Sequence, residues 1–549
     1  MQDRAFPPSA LKAFLLTSYL PCFLGAWLRA LLKAWPGLLL ALSGLFLSAC
    51  SDAEAPVAAE AQQQPIALRP EALRPGLLQE AAARVAQQPG AGRNAVWMLA
   101  DGYAALAARL LLVQQAQRSL DLQYYIWHDD IAGALLFDAL RQAADRGVQV
   151  RLLLDDNNTA GMDELLAALD AHPRIEVRLF NANEHRRWRW LGYITDFTRM
   201  NRRMHNKSLT ADGLASIVGG RNVGDAYFGL GDQTLFADLD VLALGPVAGD
   251  VSADFERYWR SAPVRPAGSL LAAAQPGVLE VLAVRAQALS RTPQARRYIE
   301  ALSAQGSAGS LLNGRPPDAW SSLQLVSDDP AKGLGPVPAA SLLTHELAQG
   351  QQPPKRSLHL ISPYFVPGEK GMQWFAELRR QGVQVLVLTN ALAATDVAVV
   401  HSGYAKYRHE LLAMGVQLWE LKPDASAPSI VSAFGAEGSS SASLHAKTFL
   451  ADCDRLFVGS FNLDPRSASL NTEMGVTLAA PDLAQTVCAH LQAQLPLHAY
   501  QLKLATDGQM EWWEEQAQAR KVWTEEPHSS AWQRAMLRLL AWLPVEWLL

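Results

Sequence analysis

Met204-His205-Asn206-Lys207-Ser208-Leu209-Thr210-Ala211-Asp212 and Leu444-His445-Ala446-Lys447-Thr448-Phe449-Leu450-Ala451-Asp452 are two versions of one pattern. In each, lysine follows histidine by two residues and aspartate follows lysine by five. A tail follows at the same offset, Gly219-Gly220-Arg221-Asn222 in the first copy and Gly459-Ser460-Phe461-Asn462 in the second. One such triplet would mean nothing, but two extended copies in register mark an internal duplication.

The duplication extends well beyond the motif. Arg118-Ser119-Leu120-Asp121-Leu122 and Arg356-Ser357-Leu358-His359-Leu360 each open an apolar run. Gly-Val-Gln-Val recurs at Gly147–Val150 and Gly382–Val385, each time leading into a strand that ends at Leu154 or Leu388. Further strands are expected at Ile175–Phe180 and Val416–Leu421. Matching points stay about 240 residues apart throughout. Strands that alternate with amphipathic helices point to an α/β fold with predominantly parallel sheets. The expected architecture is two pseudo-twofold-related repeats, residues 95–262 and 336–490. Each is a mixed, mostly parallel sheet flanked by helices, with the active site at the repeat interface. Residues 263–335, rich in Ala, Gly, Pro and Ser, read as a helical and loop connector. Helical spacing of apolar residues is expected from Ala95 to Val113.

The chain has 549 residues, half of them hydrophobic, with a formal net charge of −5. That balance gives no global attraction to nucleic acid, although a local basic patch can still bind phosphate. Four cysteines are too few for a disulfide framework, and Cys453 and Cys488 read as buried free thiols. At the start, Arg29 and Lys33 precede an apolar run, Trp35–Leu47, closed by Leu47-Ser48-Ala49-Cys50. A basic stretch, a short apolar stretch and small residues describe a secretory signal. Residues 1–50 are therefore expected to be a signal segment, 51–94 a flexible Ala/Gln/Pro-rich tether, and 491–549 a Trp-rich C-terminal tail. That tail could pack on the body, the favoured reading, or lie in a membrane interface.

Strand periodicity places His205 with Lys207, and His445 with Lys447, on common faces. A hairpin turn at Asp212-Gly213 brings Asn222 back toward His205, and Asn462 returns to His445 in the same way. Paired histidines, lysines and asparagines about a pseudo-twofold axis suit a phosphodiester. One neutral imidazole attacks phosphorus and a protonated one gives a proton to the leaving alcohol. The lysines and amides hold the non-bridging oxygens, so the chemistry calls for no metal or cofactor. Asp212 and Asp452 belong to the motif, yet each also falls where a turn is required, and a turn role is the favoured one.

This constellation resembles the phospholipase D superfamily, over about residues 95–490. The resemblance implies a phosphohistidine intermediate, with His205 as nucleophile and His445 as general acid or the reverse. It also implies an orienting carboxylate after each motif. Glu473 in Asn471-Thr472-Glu473 matches one, while Asp238 and Asp240 compete for the other, with Asp238 preferred. Cys50 resembles the acylated cysteine of a bacterial lipobox, implying a membrane-anchored lipoprotein facing the periplasm. Ser362–Gly368, Thr389–Val397, His401–Arg408 and Leu543–Glu546 further resemble bacterial cardiolipin synthases of the C-type class. The implied activity is phosphatidyl transfer onto phosphatidylglycerol, with phosphatidylethanolamine as an alternative co-substrate. A phospholipase D hydrolase and a metal-independent nuclease of the same superfamily are the competing readings, nucleic acid being the lesser one. Duplication already supplies both half-sites, so catalysis needs no dimer, and oligomeric state is left undefined. A basic, aromatic stretch, His185–Trp190 with Arg199, Arg202 and Arg203, could meet anionic headgroups or single-stranded nucleic acid, or simply pack its own tryptophans.

Overall fold

The computed structural model describes residues 75–549 apart from 89–92, 231–234, 303–306, 313, 351, 424–441, 517–518, 543–545 and 549. The signal segment and Cys50 lie outside the described residues.

Each half builds one large sheet. In the first, the strands run in the order Ala319–Ser321, Asn94–Leu99, Asp240–Leu244, Ala215–Gly219, Ser208–Ala211, Ser119–Tyr124, Gln149–Asp155, Ile175–Phe180 and Val264–Pro266. In the second the order is Leu323–Ser327, Met474–Ala479, Arg455–Gly459, Lys447–Ala451, Ser357–Ile361, Gln384–Asn390, Gln417–Leu421, Ala499–Leu504, Met510–Glu515 and Arg520–Trp523. The two orders share the same central pattern, as the duplication requires.

The mostly parallel character expected from the sequence is corrected. Only the three adjacent strands Ser119–Tyr124, Gln149–Asp155 and Ile175–Phe180 run parallel in the first sheet, and their counterparts Ser357–Ile361, Gln384–Asn390 and Gln417–Leu421 in the second. Parallel neighbours need a helical crossover, which Ile131–Asp145 and Gly368–Arg380 supply. The two His-x-Lys motifs open tight antiparallel hairpins, as the turn expected at Asp212-Gly213 requires, such as Ser208–Ala211 with Ala215–Gly219.

Side-chain alternation sorts the core into layers. Ala95, Trp97, Leu99, Leu242 and Leu244 face an outer core shared with Gly102–Gln115 and Ile131–Asp145. Val96, Val241 and Ala243 face the other way, into a core that also holds Val458, Val476 and Leu478 of the second half. The two sheets are therefore packed through one continuous apolar layer, with helices outside.

Several expected boundaries shift. Asn94–Leu99 is a strand, so the helix begins only at Gly102. The stretch expected as tether holds a helix, Leu77–Ala86, whose Leu77, Leu78 and Ala81 are buried in the first half's core. The connector supplies an edge strand to each sheet, Ala319–Ser321 and Leu323–Ser327. The C-terminal tail adds strands to the second sheet and buries Trp512, whose indole N–H donates to Glu420 at 2.9 Å. Cys453 and Cys488 are joined in a disulfide rather than free. The bond ties the hairpin turn to the long helix Pro481–His498, a proximity that no local pattern encodes. No described helix is long and apolar enough to cross a membrane.

Candidate active site

Each catalytic segment is added to the opposite half. Met204 forms a parallel bridge with Thr472, and the His205 amide donates to the Thr472 carbonyl at 2.9 Å. Reciprocally, Ala442–Leu444 pairs with Leu235–Ala237, and the His445 amide donates to the Ala237 carbonyl at 2.8 Å. The residue after each partner strand then lies beside the other half's histidine. Glu473 Oε2 is 2.8 Å from His205 Nδ1, and Asp238 Oδ2 is 2.5 Å from His445 Nδ1. Asp240, the alternative carboxylate, faces away from the histidines and receives Arg109 at 2.9 Å and Arg221 at 3.3 Å. The crossed pairing is not legible in the sequence, because it arises from strand exchange between segments far apart in the chain.

The tautomers follow from the partners. His205 Nδ1 also lies 3.1 Å from the Ser460 carbonyl, which can only accept, so Nδ1 carries the proton and Nε2 keeps a free lone pair. His445 Nδ1 likewise donates to Asp238. Lys447 Nζ is 3.0 Å from that ring nitrogen and donates to the His445 carbonyl. Tyr125 packs edge-on against His205 at 4.9 Å, and Tyr227 against His445 at 5.2 Å.

Burial lowers the affinity of both imidazoles for a second proton. The charges on Lys207, Lys447 and His445 add to burial and hold His205 well below the usual imidazole range. His445 is lowered by burial and Lys447, but Asp238 pulls it back up. The carboxyl partners differ. Burial pushes Asp238 up, yet His445, Lys447 and Arg221 together hold it below the ordinary carboxylate range. Burial pushes Glu473 up to about 7, against Lys207 and the Ser460 hydroxyl. Both lysine ammoniums are lowered by burial, so a negative charge placed between them would be stabilised and would stabilise them.

The asparagines are not equivalent. Asn222 accepts from the Ile126 amide at 3.1 Å and donates to the Tyr227 hydroxyl at 2.8 Å, so it braces the ring beside His445 instead of meeting His205. Asn462 is buried with its amide oxygen unpartnered among the described residues; a phosphate oxygen would be met by the other end of that amide, its NH2 donor. Asp155 and Asn390 were missed in the sequence. Asp155 accepts from the Met204 amide at 2.7 Å, and Asn390 grips Leu444 through its amide and carbonyl at 2.9 and 3.0 Å. Each ends a parallel strand and fixes the residue before a histidine. Their matching positions at the ends of the repeated strands were the available signal.

Asp212 and Asp452 are corrected out of the catalytic set. Asp212 accepts from the amides of Gln117, Arg118 and Ser119 at 2.7–2.9 Å, and Asp452 from those of Lys355, Arg356 and Ser357 at 2.6–3.1 Å. Seven residues of extended chain separate each from its histidine, roughly 20 Å. They lock the far turn of the hairpin to the start of the neighbouring strand.

A family described as "Cardiolipin synthase, PLD-like domain" matches residues 110–259 and 347–495. The chain is 47% identical over 459 residues to cardiolipin synthase C of Escherichia coli strain K12, covering 83% of this chain and 97% of that one. It is 26% identical over 405 residues to cardiolipin synthase A of Pseudomonas putida strain GB-1, covering 73% of this chain and 67% of that one. Among solved structures, the phosphatidylserine synthase of Haemophilus influenzae Rd KW20 superposes with a TM-score of 0.54 at 14% identity, covering 86% of this chain and all of that one. That likeness speaks to the fold.

Proposed function

From the premise that the chain belongs to the phospholipase D-like family of cardiolipin synthases, we infer that it is a phosphatidyltransferase. It moves the phosphatidyl group of one glycerophospholipid onto the terminal hydroxyl of phosphatidylglycerol, giving cardiolipin. The observation that carries this reading is the crossed arrangement of two histidine–carboxyl pairs around two buried lysines.

The free Nε2 of His205 attacks the donor phosphorus, and the bond from phosphorus to the headgroup oxygen breaks. Protonated His445 delivers its Nε2 proton to that leaving oxygen, and Asp238 stabilises the imidazolium. His445 must gain this proton first. The anionic phosphodiester promotes that by offsetting the lysine charges that depress it. In the second half-reaction neutral His445 takes the proton of the acceptor hydroxyl, which attacks phosphorus and expels His205. Lys207, Lys447 and Asn462 hold the non-bridging oxygens. With phosphatidylglycerol as donor the leaving alcohol is glycerol, and with phosphatidylethanolamine it is ethanolamine.

The test is lipid mass spectrometry on vesicles of phosphatidylglycerol, with and without phosphatidylethanolamine. Cardiolipin made by the wild type and not by His205→Ala supports transfer. Phosphatidic acid alone would make the protein a hydrolase. No lipid turnover together with cleavage of DNA would give the nuclease reading. The same proposal includes anchoring through acylated Cys50 on the periplasmic side. The Cys453–Cys488 disulfide supports it, since such bonds persist in oxidising compartments. Fatty-acid labelling that survives Cys50→Ser would exclude it.

A further inference from the structure

Two segments, one inside the first half and one near the C-terminus, leave large apolar side chains in solvent. The first precedes His205 and comprises the turn Arg186–Trp188 and the short helices Trp190–Thr195 and Phe197–Met200. Trp188 and Trp190 are more than half exposed, Ile194 is 70% exposed, and Phe197 is also exposed. Trp190 and Ile194, four residues apart, share a helical face. The second is the helix Ala531–Ala541 with Trp542 just beyond it. Its Leu537 is buried and the helix packs on Ala398–Ala405. Trp532 and Leu539, seven apart on its free side, are 71% and 61% exposed, and Trp542 is 89% exposed.

One side chain reaches the chain just beyond each segment. Arg466 donates to the Asn201 side chain at 3.1 Å and carbonyl at 2.9 Å, and to the Leu548 carbonyl at 3.0 Å. Asn201 lies four residues before His205, and Arg466 four residues after Asn462. The buried Arg408 also grips Glu526, just ahead of the C-terminal helix. Both aromatic segments are thus fastened to the chain that carries the catalytic groups.

We propose that these two segments form a single surface that seats on an anionic phospholipid bilayer beside the active site. The inference rests on the phosphatidyltransferase reading and adds the face by which the bilayer is met. Charge selects this occupant over a protein partner. Arg187 and Arg538 are exposed and have no carboxylate partner among the described residues, while Asp196 in the first segment and Glu184 just ahead of it are each paired with arginine. Tryptophan interleaved with unpaired arginine is the composition that lies at a bilayer interface, rings at headgroup depth and guanidinium groups on phosphate. Continuity with the site gives a second reason. A two-chain lipid delivers its phosphate to a buried histidine most directly when the bilayer lies against the adjoining surface.

The test uses the full chain and two variants, Trp188→Ser with Trp190→Ser, and Trp532→Ser with Trp542→Ser. All four side chains project into solvent, so the fold should survive, as circular dichroism checks. Vesicles of phosphatidylglycerol and phosphatidylcholine are the bilayer probe, and a short-chain phosphatidylglycerol below its micelle concentration is the soluble one. The expected result is vesicle turnover reduced at least tenfold in each variant, with turnover of the soluble lipid unchanged. In the wild type, hydrogen exchange in residues 186–200 and 531–542 should slow on adding the anionic vesicles. Equal vesicle turnover in wild type and variants, with no protection, overturns the proposal. So does a dimer in the ultracentrifuge that both variants abolish, which would assign the surface to a second copy. Should neither lipid be turned over, the enzymatic reading fails while exchange protection still decides the docking.

Discussion

The two half-sites share one scaffold and differ at its most reactive contact. In one, His205 bonds Glu473, and Ser460 donates its hydroxyl to the same carboxyl oxygen at 2.5 Å. In the other, His445 bonds Asp238, and the position matching Ser460 is Gly220. A Cβ there would fall 2.1 Å from Asp238 Oδ1. Asp238 is held ionised, whereas Glu473 is pushed up to about 7. The duplication thus supplies geometry twice, and on the proposed mechanism the differences at the carboxyl and its neighbour suit each imidazole to a separate task. An ionised partner favours an imidazolium that gives up a proton, and a weaker one favours an imidazole that stays neutral until it attacks.

Removing the rings would break this comparison most sharply. His205→Ala should lower transfer by roughly 10,000-fold or more, since no nucleophile remains. His445→Ala should lose roughly 100- to 10,000-fold and recover with a nitrophenyl phosphodiester, whose leaving group needs no proton. Recovery in His205→Ala instead would exchange the two roles.

Altering the carboxyls comes next. Asp238→Asn should cost on the order of 100-fold, because the amide cannot stabilise the imidazolium. Glu473 should leave its mark in the pH profile. Below about 7 its carboxyl is protonated and no longer supports the Nδ1–H of His205, so kcat/KM should fall as pH drops through that value. In Glu473→Gln this limb should vanish, and a limb that stays in place would assign it elsewhere. Stability gives the matching sign. The native state keeps the Glu473 proton up to about 7, while the unfolded chain loses it near 4.5. The native form binds more protons in that window, so this residue's contribution weakens as pH rises through it. The difference in Tm between wild type and Glu473→Gln across pH 4.5–7 measures it.

The neighbour positions sharpen the contrast with smaller effects. Gly220→Ser should displace Asp238 and mimic much of Asp238→Asn. Ser460→Ala should cost about tenfold in kcat, the equivalent of about 1.4 kcal/mol, and move the Glu473 limb to higher pH. Equal, negligible effects at both positions would remove the proposed distinction.

The far ends of the hairpins give the smallest effect on activity. Asp212-Gly213 and Asp452-Cys453 both occupy the left-handed region, with φ of 55° and 67° in the first turn and 57° and 53° in the second. Glycine adopts this readily and cysteine does not. Beyond its carboxylate lock, the second turn also carries a covalent tie, Cys453–Cys488. Cys488→Ser should lower stability by roughly 2–4 kcal/mol in a denaturant titration and leave kcat within about twofold.

Much of this was legible in the chain because duplication makes a motif its own control. His205, Lys207, His445 and Lys447 stood out through shared spacing, and Glu473 and Asp238 through the motif's expected sequel. What was hidden depends on distant partners. The exchange of Met204 and Leu444 between halves pairs each histidine with the other repeat's carboxylate, and periodicity is blind to that. Parallel and antiparallel strands share a period of two, so the direction of Ser208–Ala211 against Ser119–Tyr124 was not legible. Asp212 and Asp452 were legible as turn formers, because a residue can recur within a motif for the sake of its turn. The disulfide escaped because Cys453 and Cys488 are brought together by a helix folding back on a hairpin.

The most direct test of the division of labour is to trap the covalent intermediate. Wild-type protein would be mixed with phosphatidylglycerol in a single turnover, quenched under conditions that preserve phosphohistidine, and mapped by peptide mass spectrometry. A phosphatidyl adduct on His205, absent from Glu473→Gln at the same early time, is the expected result. An adduct on His445 with His205 unmodified would contradict the assignment.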